Sequence, residues 1–194
     1  SFSTTGVTQT GDFNVSTVTQ SASLADVTIE QNGTRNTSTA TQSGLNSSTT
    51  VTQTNLDDTV LGNTSTVTQS GINSDTDVTQ NGSLNTSTLT QSGLNAVAVI
   101  NQDGEGNTST ASETGAASNL DVEQLGEGNT STVTQNGAGS EVDVFQDGIT
   151  NTSTITGTGA GSTVDVSQTG TLNVSTVGQS GVLLEGQTNA TVIQ

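Results

Sequence analysis

Carboxylates dominate the reactive side chains of this 194-residue sequence: 18 Asp and Glu stand against one basic residue, Arg35, giving a net charge of −17. Close carboxylate pairs such as Asp57 and Asp58, or Asp75 and Asp77, are the residues from which general acid–base chemistry could be built. With no His and no Cys there is no imidazole base, no thiolate and no Cys/His zinc set to work beside them. Such pairs on an insertion or an outer face are expected to be solubilising charges. The strings Asp103-Gly104-Glu105-Gly106-Asn107 and Leu125-Gly126-Glu127-Gly128-Asn129 carry the Gly and acidic residues of calcium or phosphate loops. They lack the Lys and following helix of a phosphate loop and the spacing of an EF-hand or calcium-binding nonapeptide, so turns are expected there. The eight N-x-S strings that recur in phase have the form of glycosylation sequons, but their Asn falls at an inward position where a glycan would destroy the packing. Arg35 is too little to hold a phosphate backbone, so no nucleic-acid partner, catalytic residue, metal or cofactor is expected.

What remains is repetition. Val, Leu, Ile and Phe make up 41 of the 194 residues, a composition at the border of disorder. A fixed period overrides that reading. The motif N-x-S-T or its N-x-S core opens at Asn14, Asn36, Asn63, Asn85, Asn107, Asn129, Asn151 and Asn173, every interval being 22 except one of 27. An insertion around 54–62 accounts for the exception. A half-period of 11 is marked by Gln9, Gln20, Gln31, Gln42, Gln53, Gln69, Gln80, Gln91, Gln102, Gln124, Gln135, Gln146, Gln168 and Gln179, with Glu113 and Gly157 breaking the column. Two residues beyond most anchors lies a glycine: Gly11, Gly33, Gly44, Gly71, Gly82, Gly93, Gly104, Gly115, Gly126, Gly137, Gly148, Gly159, Gly170 and Gly181. Each half-repeat therefore carries a turn signal.

Between the turns the residues alternate with period 2, as strands do. Ser118, Leu120, Val122 and Gln124 share one parity, and Asn129, Ser131, Val133 and Gln135 the equivalent one after the turn. A 22-residue strand-turn-strand unit cannot bury that face alone, so the units must stack. The expected fold is all-β: a two-sheet β-solenoid of about eight coils, treated as one domain over 1–194 and closed by an irregular C-terminal strand within 182–194. Inward Asn and Gln are expected to form amide ladders along the axis, as in cross-β stacking, satisfying an otherwise too polar core.

Ser118, Gln124, Gly126, Gly128, Asn129, Ser131 and Gln135 resemble the curlin repeat, S-x5-Q-x-G-x-G-N-x-A-x3-Q, with Ser131 where that pattern has Ala. Gln102, Gly104, Gly106, Asn107 and Ser109 repeat the match, and the likeness runs over roughly 3–181. The resemblance implies a secreted, non-enzymatic subunit of an extracellular amyloid fibre at the cell surface, serving the biofilm matrix. Its partners would be further copies of itself, with a nucleator and a secretion channel. A chain that starts at Ser1 and contains no Met fits a mature exported protein, as it also fits simple loss of an initiator Met. No run of about 18 apolar residues is present to span a membrane.

The two outer faces are expected to differ. One presents Thr-x-Thr triplets such as Thr86, Thr88, Thr90 and Thr130, Thr132, Thr134; the other is acidic. A regular threonine face resembles that of ice-binding proteins, which gives an alternative: a monomeric ice-binding or surface-binding solenoid. Threonine is also simply a good strand residue.

Overall fold

The computed structural model describes residues 2–55, 61–180 and 189–193. The insertion's 56–60, Gly181, the segment 182–188 and Gln194 lie outside the described residues. One sheet contains β1 (Thr4–Thr10), β3 (Asp26–Gly33), β5 (Ser48–Asn55), β7 (Asp75–Ser83), β9 (Val97–Glu105), β11 (Asn119–Glu127), β13 (Glu141–Ile149), β15 (Thr163–Thr171) and β17 (Asn189–Ile193). The other contains β2 (Val15–Gln20), β4 (Thr37–Gln42), β6 (Thr64–Gln69), β8 (Thr86–Gln91), β10 (Thr108–Glu113), β12 (Thr130–Gln135), β14 (Thr152–Gly157) and β16 (Val174–Gln179). Odd strands build the first sheet and even strands the second, every pairing is parallel, and each strand pairs with its equivalent one repeat on. This is a two-sheet β-solenoid of about eight 22-residue coils.

Register is set by chemical identity. Leu120, Val122 and Gln124 align with Val142, Val144 and Gln146, and Ser131, Val133 and Gln135 with Ser153, Ile155 and Gly157. A slip of one residue would expose every apolar side chain, which fixes the pairing. Across the 27-residue interval Gln53 still aligns with Gln80, so the extra residues leave the ladder in phase. The core is a single narrow column of Val, Ile, Leu and Ala from both sheets, among them Ile29, Val51, Leu89, Ile100, Val122 and Ile155, all essentially inaccessible to solvent.

The glycines act differently from simple turn signals. Gly104, Gly126 and Gly148 lie inside β9, β11 and β13, which continue past the Gln anchor. They have positive φ and sit against the next coil: a Cβ on Gly126 would lie 2.3 Å from the Gly148 carbonyl oxygen. At the other corner Gly93 has no such φ, yet a Cβ there would meet the Gly115 oxygen at 2.0 Å. The left-handed residue is two places later, at Asn46, Asn73, Asn95 and Ala117. That second glycine column is required by the closeness of stacked backbones rather than by its own dihedral angles.

Candidate functional site

Among the described residues no set of three or more His, Cys, Asp or Glu is placed to hold a metal. Among the same residues no helix is long and apolar enough to cross a membrane. The features with chemical consequence are the buried ladders, the strand edges and the two outer faces.

In the first sheet the Gln ladder runs from Gln9 through Gln31, Gln53, Gln80, Gln102, Gln124 and Gln146 to Gln168, each Nε2 donating to the next Oε1 at 2.6–2.9 Å. The second amide proton is used as well: Gln102 donates to the Thr86 carbonyl and Gln124 to that of Thr108, tying one sheet to the other. The Asn column works through the backbone. Asn107 N–H donates to Asn85 Oδ1, and Asn107 Nδ2 donates to the Gly126 carbonyl and, at 3.3 Å, to that of Asp103. The backbone bond recurs at Asn36, Asn63, Asn129, Asn151 and Asn173, whose N–H donates to Oδ1 of the Asn one coil below. Side chain meets side chain where Asn151 Nδ2 donates to Asn129 Oδ1 at 3.1 Å, and the other hydrogen bonds of the Asn column form a corner clamp through the backbone. The serines at coil starts hold the other corner: Ser47 and Ser74 donate to the Gly71 and Gly93 carbonyls. Sequence reasoning missed the exposed corner ladder in which Asn46 donates to Asn73 and Asn73 to Asn95; the repeated Leu-Asn or Ile-Asn at 45–46, 72–73 and 94–95 is its signal.

In the second sheet the ladder is interrupted. Gln20, Gln42, Gln69 and Gln91 pass hydrogen bonds upward. Gln91 Nε2 then donates to Glu113 Oε2 at 3.0 Å, and Ser118 Oγ to Glu113 Oε1 at 2.6 Å. Glu113 is fully buried. Burial raises its pKa, opposed by the bonds from Ser118 and Gln91. An ionised carboxylate has no proton for the next rung, and the buried Gln135 Oε1 accepts no hydrogen bond. Above it Gly157 offers no side chain at all. The hydroxyls of Ser38, Ser109, Ser131, Ser153 and Ser175 are likewise buried without a partner.

The outer faces segregate charge. Asp121, Asp143 and Asp165 stand in register on the first sheet. Desolvation raises the pKa of Asp77, Asp121 and Asp143, and for Asp143 the negative charges of Asp121, Asp165, Glu141 and Glu123 raise it further. On the second sheet Thr66, Thr88, Thr110, Thr132 and Thr154 form the middle outward column. Arg35 sits exposed at a corner, its guanidinium carbon 5.9 Å from the ring centroid of Phe13.

Both ends of the stack are open among the described residues: nothing pairs with the outer edge of β1 or β2, and β16 and β17 end their sheets. Val7, which stacks beneath Ile29, is 44% exposed, whereas Ile29, Val51, Val78 and Ile100 are at 0%. The curlin associated repeat matches five segments, residues 3–31, 25–54, 71–104, 115–148 and 137–170. The chain belongs to the curlin-repeat family. That family is one of structural, non-enzymatic proteins, which agrees with a curlin chain whose polar core is spent on ladders. A search of curated proteins finds no match to this curlin chain.

Proposed function

We propose that this chain is a structural subunit of an extracellular, curli-like amyloid fibre of the biofilm matrix, polymerising head to tail through the open ends of its solenoid. The observation that carries the reading is the uncovered first coil. Its inward positions, Val7 above all, have a neighbour on one side only, whereas the equivalent Ile29, Val51, Val78 and Ile100 are buried between two coils. The ladders are also directional: each Gln Nε2 points toward the C-terminal end, so one end of the stack offers acceptors and the other donors. A contact between unlike ends does not close on itself and continues as a filament. Natural sheets blunt their edges with Pro or Lys, and this chain contains neither. A nucleating surface and a secretion channel are the partners such a fibre requires.

Electron microscopy after incubation tests the reading, with Val7→Pro as the diagnostic variant. Thr4 N–H donates to the Ala25 carbonyl, so by strand alternation the N–H of Val7 faces the open edge, where Pro is tolerated. Wild-type chain should give long unbranched fibres, and Val7→Pro should retain its β circular dichroism yet fail to elongate. Persistent monodisperse wild-type monomer, or a Pro variant that elongates at the wild-type rate, contradicts the reading. The threonine face supports a second reading, an ice-binding or surface-binding monomer. Thermal hysteresis measures it, and none is expected of a chain that polymerises.

A further inference from the structure

We infer that the threonine face is a lateral interface at which two copies of this chain pair face to face. The proposal begins with where charge is absent. In the even strands β2 to β16 the outward residues are Thr, Ser, Val or Gly, and the one carboxylate in those strands, Glu113, points inward. Every outward carboxylate of the described strands lies on the odd-stranded sheet. With a net charge of −17, two copies that approach by their acidic faces bring carboxylate columns together. Approach by the threonine faces leaves those columns on opposite outer surfaces. Three sheet-to-sheet spacings of ~10 Å each then separate them by ~30 Å, several times the ~8 Å Debye length at physiological salt.

Size and chemistry fit the same partner. Eight strands at ~4.8 Å and six residues at ~3.3 Å give a face of ~38 by ~20 Å, or ~760 Å² from each copy and ~1,500 Å² together, within the ~1,200–2,000 Å² of a standard stable interface. A threonine hydroxyl both donates and accepts, and its methyl packs, so a threonine array is complementary to a second copy of itself in either direction. Val15 and Val174, at the two ends of the first outward column, are 54% and 64% exposed on this face. They place apolar surface where the partner would cover it. The inference does not depend on axial polymerisation, since the face is complete within one chain.

The test measures mass per length of fibres by dark-field electron microscopy and, for unassembled chain, mass by sedimentation. A single stack of 19.3 kDa over ~41 Å carries about 0.5 kDa per Å, and a pair carries twice that. The wild type should show the doubled value, or a mass of twice 19.3 kDa if it stays unassembled. The double variant Thr110→Asp/Thr132→Asp should return to the single value. The same charge placed on the other sheet by Thr79→Asp/Asn101→Asp should leave pairing intact. A single-stack wild type, or equal loss from both variants, overturns the proposal; so does ice shaping abolished by the first variant with no change of mass. Should the Asp variants misfold, single cysteines decide in a chain that has none of its own. Thr110→Cys should be linked to a second copy by a bismaleimide of ~10 Å reach, matched to the sheet spacing, and Asn101→Cys should not. Equal linking of the two, or none at Thr110→Cys, overturns the inference. Failure to form fibres while the doubled mass persists in solution would refute the axial reading alone.

Discussion

Replacing Glu113 with Gln should stabilise the chain at neutral pH, and the gain should disappear in acid. In the wild type, Glu113 takes hydrogen bonds from Gln91 and Ser118, and as a carboxylate it gives none to Gln135, whose buried Oε1 is left without a donor. A Gln at this position keeps the acceptor for Gln91 and supplies an Nε2 to Gln135, as Gln102 does for Gln124. Removing one unsatisfied buried acceptor is worth about 1–3 kcal/mol, and removing a buried carboxylate adds to the gain. The sign of the pH dependence follows from the pKa, which burial raises above its usual 4.5. The folded state then holds a proton that the unfolded state has released. The stability conferred by that proton is complete below about pH 4.5 and is lost as pH rises through the folded-state value. A protonated Glu113 can also donate to Gln135, so wild type and variant converge in acid. Denaturant unfolding of freshly prepared chain at pH 4 and pH 7.5 measures the difference, and the outer carboxylates, present in both proteins, cancel. Equal gains at the two pH values, or a variant less stable than wild type at pH 7.5, would refute the reasoning.

Two further outcomes follow from the same geometry. Ser131→Ala or Ser153→Ala removes a buried hydroxyl that has no partner, so each should leave stability unchanged or raise it by up to about 1 kcal/mol, read from the denaturant midpoint; a loss above about 1 kcal/mol would show that the hydroxyl is bonded. Asp143→Asn removes the central charge of a column whose neighbours, ~4.8 Å apart, repel by ~0.9 kcal/mol each in water before screening. Assembly at pH 7 followed by dye fluorescence should be faster than wild type, and the acceleration of the wild type by acid or salt should shrink; identical kinetics would contradict it.

The solenoid was legible because its period is written in several residue types at once. Asn129, Gln135 and Ser131 recur in phase, and each falls on the inward parity that also holds Val133. Period and parity together fix both sheets and the parallel register. The details that escaped depend on distances between coils, which a one-dimensional pattern does not carry. Gly93 reads as a turn residue and proves to be a spacer against the Gly115 carbonyl. Asn107 reads as a rung on Asn85, and its side chain proves to clamp the backbone of the coil above, Nδ2 donating to the Gly126 carbonyl and Oδ1 accepting from Asn129 N–H. Glu113 was visible only as a break in the Gln column; that it strands Gln135 requires knowing which way the amides of the ladder point.

The central claim, that one 22-residue repeat is one coil of an axial stack, is tested most directly by the axial subunit repeat of fibres from a chain lacking residues 118–139. That deletion removes β11 and β12 and leaves every other strand in phase with its neighbours. The account predicts fibres whose axial repeat, measured by cryo-electron microscopy, is shorter than that of the full chain by one strand spacing, ~4.8 Å. An unchanged repeat, or a change that is not one strand spacing, would contradict it.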